Sequence, residues 1–189
     1  MDDSKRILIL IIMITAKQKE YCMRVYKAAR LMYEADKEHT VSPLFTTAQA
    51  MLESGWGTAA IGNNIFGVTA GSGWEGAKVL VTTTEYFATP TKTFTAPEGV
   101  LSIKKLGEKN YKYTVCRYFR NYDTLAGALK DHNALFAKPM YADAWPYRLQ
   151  AKEFAKRISD AHGAKYATAP NYAALMGKMI DSVKNIVEA

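Results

Sequence analysis

The chain has 189 residues, 49% hydrophobic and 12% aromatic, which is enough to bury one substantial core and short for two. Its formal net charge is +7, most of it between residues 61 and 130, and such a balance suits an anionic polymer: nucleic acid, a membrane surface or the acidic bacterial cell wall. Cys22 and Cys116 stand far apart in no metal spacing and are read as free thiols, while His39, His132 and His162 form no zinc signature, so neither a disulfide framework nor a metal centre is expected.

The apolar run from Ile7 to Ile14 is too short to span a bilayer, so no stable membrane insertion is expected. Lys5 and Arg6 before it and Ile14-Thr15-Ala16 after it suit an export signal, whereas Asp2 and Asp3 spoil the basic start and Met13 offers an alternative beginning. Residues 1–17 are set apart as an apolar extension of a domain covering 18–187. From Glu20 to Glu34 apolar residues recur with helical period at Tyr21, Cys22, Val25, Tyr26, Ala28, Ala29, Met32 and Tyr33. A second helix spans about 43–54. Ser42 suits its N-cap and Pro43 its first position, and Gly55 and Gly57 end it. Phe45, Ala48 and Leu52 share one side of it; Thr46, Gln49 and Glu53 share another, expected to wall a cleft. Glu53 falls at the negative end of the helix dipole beside Trp56, and both influences disfavour its charged form, as a general acid requires.

Asn63 and Asn64 lie in turn chemistry before Ile65-Phe66-Gly67. The period then changes to two: residues 78–87 alternate β-branched and aromatic side chains and predict a strand carrying Glu85 among apolar neighbours. Pro90, Pro97, Gly99 and Gly107 mark 88–110 as a long connection with a short strand at 100–106, and 111–119 reads as its partner. Helices follow at 125–136, capped by Asp123 or Thr124, at about 147–161, and from Pro170 through Ile186. His132, on the apolar side of its helix, reads as a satisfied core histidine. The order of elements predicts an α+β chain, a small antiparallel sheet between helical halves.

Ala48-Gln49-Ala50-Met51-Leu52-Glu53-Ser54-Gly55-Trp56-Gly57, Asn64-Ile65-Phe66-Gly67, Trp74-Glu75-Gly76, Thr83-Thr84-Glu85, Phe119-Arg120-Asn121-Tyr122 and Tyr166-Ala167-Thr168-Ala169-Pro170-Asn171-Tyr172 occur in this order. In that order the chain resembles, over about 18–187, the bacterial glucosaminidase family (mannosyl-glycoprotein endo-β-N-acetylglucosaminidase-like, glycoside hydrolase family 73), which includes domains of flagellar rod-assembly proteins, autolysins and phage endolysins. The resemblance implies a lysozyme-like α+β fold, mostly α-helical, with a small antiparallel β-lobe flanking the catalytic cleft. It further implies a monomeric peptidoglycan hydrolase acting on glycan strands in the periplasm or at the cell wall, with no cofactor, metal or nucleic acid. Glu53 is then the general acid, Glu85 the second carboxylate that glycoside hydrolysis usually needs, and Tyr172 a catalytic hydroxyl. Gln49, Trp56, Asn64, Phe66, Trp74 and Tyr166 are the implied substrate-binding residues, with Glu75 and Asp123 as fallback carboxylates. Ala169 departs from the family, which places an acidic residue there, and 88–110 is longer than in many relatives. The alternatives are a muramidase or lytic transglycosylase and a non-catalytic wall-binding or assembly module. The basic stretch Lys104, Lys105, Lys109, Lys112, Arg117 and Arg120 reads as a solvated strand face, with attraction to the anionic wall as the alternative.

Overall fold

A computed structural model describes residues 14–160 and 171–189. Tyr166, Gly163, the Met13 start and most of the apolar run lie outside the described residues. The chain divides into a helical unit, to which residues up to 66 and from 123 onward belong, and a β unit of residues 67–122.

In the helical unit, α1 (Ala16–Ala35) begins inside the segment expected to be an extension. Thr15 closes a capping box: its Oγ1 accepts from the Gln18 amide at 3.2 Å, and Gln18 Oε1 accepts from the Thr15 amide at 2.8 Å. Thr15 is thus the N-cap and Ala16 the first residue of α1. Helix α2 (Pro43–Glu53) starts as expected, with Ser42 as N-cap and Pro43 first. It is buried from Phe45 through Met51 without interruption, so it forms the centre of this unit rather than one of its faces. Rings from two helices close on it. Phe45 meets Phe136 of α3 (Leu125–Phe136) at 5.5 Å and Phe154 of α4 (Ala151–Asp160) at 4.9 Å, both edge-on, the geometry the ring quadrupoles favour. Helix α5 (Tyr172–Val187) packs along α2.

Thr124, not Asp123, caps α3: its Oγ1 accepts from the Gly127 amide at 3.1 Å. The helix expected over 147–161 starts later. Trp145–Tyr147 forms a 3₁₀ turn instead, with the Arg148 amide donating to Trp145 O at 3.0 Å and the Gln150 amide to Tyr147 O at 2.8 Å. Arg148 O is engaged by the Ser42 amide at 2.8 Å, which ties this turn to the start of α2.

The β unit is a three-stranded antiparallel sheet of β1 (Lys78–Phe87), β2 (Gly99–Gly107) and β3 (Asn110–Arg120) in the order β1-β3-β2. The last strand in sequence is thus the central one, and it alone among the three carries buried side chains, Tyr113, Val115 and Phe119. Strand β2 extends a residue beyond the expected 100–106 at each end, and the unpaired connection shrinks to 88–98. The Tyr113 hydroxyl pins that connection, donating to Thr89 O at 2.8 Å and accepting from the Lys92 amide at 3.3 Å. Cys22 and Cys116 are free thiols, Cys22 buried.

Three consecutive left-handed residues follow α2: Gly55 at φ 55°, Trp56 at 60° and Gly57 at 86°. A Cβ on Gly57 would also come within 3.0 Å of three atoms of the Tyr21 ring, whereas one on Gly67, at φ 61°, would meet nothing within 4 Å. Gly67→Ala should therefore cost only the left-handed penalty of about 1 kcal/mol. Gly57→Ala should cost roughly 2–3 kcal/mol, with the clash added. Thermal unfolding of the two variants checks this; equal shifts would remove Tyr21 as the reason for Gly57.

Candidate active site

Glu53 is the last residue of α2 and its first charged one. The turn that ends the helix is a Schellman arrangement, with Gly55 in the left-handed position and the Trp56 amide donating to Met51 O at 2.9 Å. Ser54 locks it from beneath, its hydroxyl donating to Ala50 O at 2.5 Å and accepting from the Gly57 amide at 2.9 Å. Glu53 therefore emerges from a helix that is buried up to that point, at a place where the backbone has no freedom to fray. Its side chain stays open to solvent, yet the protein around its carboxyl displaces enough water to raise its pKa above the ordinary 4.5, burial being the cause.

The residues expected beside it divide. Gln49 is not a cleft-lining group: it is 0% exposed, and both ends of its amide are used inside the protein. Its Nε2 donates to the Tyr172 hydroxyl at 3.1 Å, and its Oε1 lies 2.6 Å from His132 Nε2. Tyr172, the first residue of α5, is 3% exposed. Phe66 and Asn64 are likewise buried and do not line an open surface. Phe66 stacks on His132 with ring centroids 3.8 Å apart, and the Asn64 backbone pairs with Ile61. The physical reason is common to all three: α2 has no wet side, so polar and aromatic groups next to it meet each other instead of water. Trp56 is half-buried and lines a groove of about 410 Å³ with Tyr21, Gln18 and Thr58, whose described lining does not include Glu53.

In the β unit, Glu85 is half-buried and ion-paired to Arg117 Nη1 at 2.7 Å, so its neighbour is a guanidinium and not the apolar surroundings expected. Arg117 Nε reaches Glu98 Oε1 at 3.4 Å, and that oxygen also accepts from the Tyr118 amide at 2.6 Å. Glu85 is thus one end of an ordered Glu85–Arg117–Glu98 cluster. Trp74 is held within the same unit: its Nε1 donates to Ala77 O at 2.9 Å, the Arg120 guanidinium covers its ring at 4.3 Å, and Tyr122 meets it edge-on. Glu75 and Asp123 are exposed.

The sequence did not point to His132 as the partner of Gln49 or to Arg117 as the partner of Glu85. The only signal for His132 was a polar residue on the apolar side of its helix. Arg117 was hidden by register, since Glu85 directly opposes Tyr113 while Arg117 opposes Val81, four residues along the strand, and reaches Glu85 only by its length. Among the described residues no group of three His, Cys, Asp or Glu side chains is placed to hold a metal ion, and no helix is long and apolar enough to cross a membrane.

Comparison with known proteins was consistent across sequence and structure. The sequence model of the family described as mannosyl-glycoprotein endo-beta-N-acetylglucosaminidase matches residues 29–185. The chain is 31% identical over 183 residues to the peptidoglycan hydrolase FlgJ of Salmonella typhimurium, covering 93% of this chain and 49% of FlgJ. It is 30% identical over 165 residues to the exo-glucosaminidase LytG of Bacillus subtilis, covering 85% and 47%. The structure of a C-terminally truncated glycoside hydrolase domain of Salmonella typhimurium FlgJ matches with a TM-score of 0.63 and 32% identity, covering 89% of this chain and 98% of that domain. The chain spans about half the length of these two full-length relatives.

Burial lowers the His132 pKa from its ordinary 6.5 to about 3, so the folded protein holds a neutral imidazole that the unfolded chain protonates first. Its contribution to stability is present above 6.5 and is lost as pH falls toward 3, by up to about 1.4 kcal/mol per pH unit. Glu53 acts in the opposite sense, because a raised carboxyl favours the folded state as pH falls. Thermal unfolding at pH 7 and pH 5 should therefore show a smaller loss of stability in His132→Gln than in the wild type; equal losses would contradict a neutral buried imidazole.

Proposed function

Since this chain belongs to the glucosaminidase family, we propose that it is a peptidoglycan hydrolase of the endo-β-N-acetylglucosaminidase type, cleaving the β-1,4 bond between N-acetylglucosamine and N-acetylmuramic acid. The observation that carries this reading is Glu53, a carboxyl with a raised pKa at the rigid end of a buried helix, open to solvent and so to substrate. A protonated carboxyl held there can deliver its proton to the glycosidic oxygen as the bond breaks. Glu85 supplies the second carboxylate for the oxocarbenium-like centre or for water, its ion pair with Arg117 fixing where its oxygens point. The Tyr172 hydroxyl hydrogen-bonds the reacting sugar or its water. Trp56, and Tyr166 outside the described residues, remain the proposed sugar contacts. The partners are glycan strands of the wall, attracted by a chain of net charge +7, and the site of action is the periplasm or cell wall. The protein acts as a monomer.

Turbidity clearing of purified wall tests the assignment. Glu53→Gln should lose on the order of 10²–10⁴-fold in rate, and a loss below about tenfold would contradict its role as acid. Glu85→Gln should be severely impaired; if only Glu75→Gln or Asp123→Asn is, Glu85 is not the second carboxylate. Mass spectrometry of the digest should find N-acetylglucosamine at new reducing ends in long fragments. Reducing-end or 1,6-anhydro muramic acid would indicate a muramidase or transglycosylase, disaccharides alone an exo-acting enzyme, and no cleavage a wall-binding module. Wild-type activity should fall as pH rises through the Glu53 pKa, since the acid must hold its proton.

A further inference from the structure

Alternation sorts the side chains of the β unit onto two faces, and the two faces differ in charge. Glu85, the one acid within the three strands, shares the first face with Val81 and Thr83 of β1 and with Tyr113, Val115 and Arg117 of β3. The second face carries Leu80, Thr82, Thr84 and Tyr86 of β1, all exposed, and no acid from any strand. Register arranges this second face in rows that cross all three strands. One row is Tyr86, Lys112 and Lys104, and the next is Thr84, Thr114 and Ser102. Lys104 and Lys112 are direct cross-strand partners, which places their Cβ atoms roughly 5 Å apart. Like charges so placed oppose folding. Among the described residues no carboxylate lies within ion-pair distance of either ammonium, and no group there engages the hydroxyls of Thr84, Thr114 and Ser102.

Two opposed cations with a row of hydroxyl donors beside them suit an anion that offers several oxygens: the ammonium groups supply charge and the hydroxyls neutral hydrogen bonds. A second copy of this face would set the same cations against themselves, so the complementary partner is acidic. We propose that this face, opposite the one that carries Glu85, is an accessory binding surface for carboxylates on the peptide part of the cell wall, with Lys104 and Lys112 as the paired cations. The inference rests on reading the chain as a peptidoglycan hydrolase. A second hold on an insoluble polymer keeps the enzyme at high effective concentration between one cleavage and the next.

Pelleting with purified peptidoglycan stripped of phosphate polymers tests the surface, with Glu53→Gln protein used so that the polymer stays intact. In that background Lys104→Gln/Lys112→Gln should weaken binding roughly tenfold, a difference that disappears in about 1 M salt. Lys105→Gln/Lys109→Gln, the same change of charge placed on the first face and in the turn, should leave binding within about twofold. The Lys104/Lys112 variant should also unfold at a higher temperature than its parent, because the repulsion between the two ammonium groups is gone. With Glu53 restored, it should clear intact wall more slowly than the wild type and cleave short soluble wall fragments at an unchanged rate. Equal losses of binding in the two lysine pairs would reduce the face to bulk charge and overturn the proposal. Binding that requires the phosphate polymers would overturn it too, since the ligand would then be a phosphate chain. Normal clearing by the wild type with undiminished binding in Lys104→Gln/Lys112→Gln sinks the surface alone; a wild type that clears no wall but binds it through these two lysines sinks the hydrolase reading and leaves the surface standing.

Discussion

A helix buried on every side can carry no charge until it reaches water, and α2 obeys that constraint to its last residue. Phe45 to Met51 are enclosed, Leu52 is half-enclosed, and Glu53 is the first ionisable group on the helix. What makes the position usable is the abruptness of the exit. A fraying helix end would present a carboxyl in many places; a Schellman turn with three left-handed residues, locked by Ser54, presents it in one. The non-glycine Trp56 at φ 60° is strain accepted at that spot, of order 1 kcal/mol or more. The protein around the carboxyl displaces part of its water while leaving it reachable, and its raised pKa follows from that desolvation and not from a specific charged neighbour.

Much of the fold was legible because its boundaries are written in local chemistry. Ser42 and Pro43 open α2, Thr124 opens α3, the alternation over 78–87 matches β1 residue for residue, and the turn at Gly107–Asn110 joins β2 to β3. The errors share a cause. Reading Thr46, Gln49 and Glu53 as a wet stripe assumes that a polar side of a helix faces solvent. In a central helix the polar side chains find one another instead, and the partners of Gln49 are 83 and 123 residues away in sequence. Neither local pattern nor propensity contains such a pairing. The delayed start of α4 is similar, since Arg148 O is engaged by a segment more than a hundred residues earlier.

The β unit makes the same point with charge. Lys104, Lys105, Lys109, Lys112, Arg117 and Arg120 read as a basic strand face, yet the two arginines are committed locally. Arg117 sits between Glu85 and Glu98 and over the Phe94 ring, and Arg120 covers Trp74. Counting positive charges overstates the field available to an anionic partner when guanidinium groups are already matched to carboxylates and ring faces. Glu85, conversely, gains a fixed orientation that a lone glutamate on an edge strand lacks.

Stability alone does not account for the interior of the helical unit. Leu at 49 and Phe at 132 would fill comparable volume without an unpartnered Nδ1 or an imidazole that the unfolded chain prefers to protonate, and replacing partly satisfied buried polar groups by apolar ones is commonly neutral or stabilising. Nor is the network an accident of one helix, since its three members come from α2, α3 and α5, and His132 and Tyr172 must each be brought to within 3.1 Å of Gln49 by the tertiary fold. His132 is also packed tightly by the rings of Phe66, Phe45 and Phe136, so its orientation is set by the core itself. A core that accepts the cost of unmatched polarity at one place ties three helices together there, through hydrogen bonds from His132 to Gln49 and from Gln49 to Tyr172. The same helix that supplies Gln49 ends four residues later in Glu53, so the buried network and the exposed carboxyl are held by one rigid element.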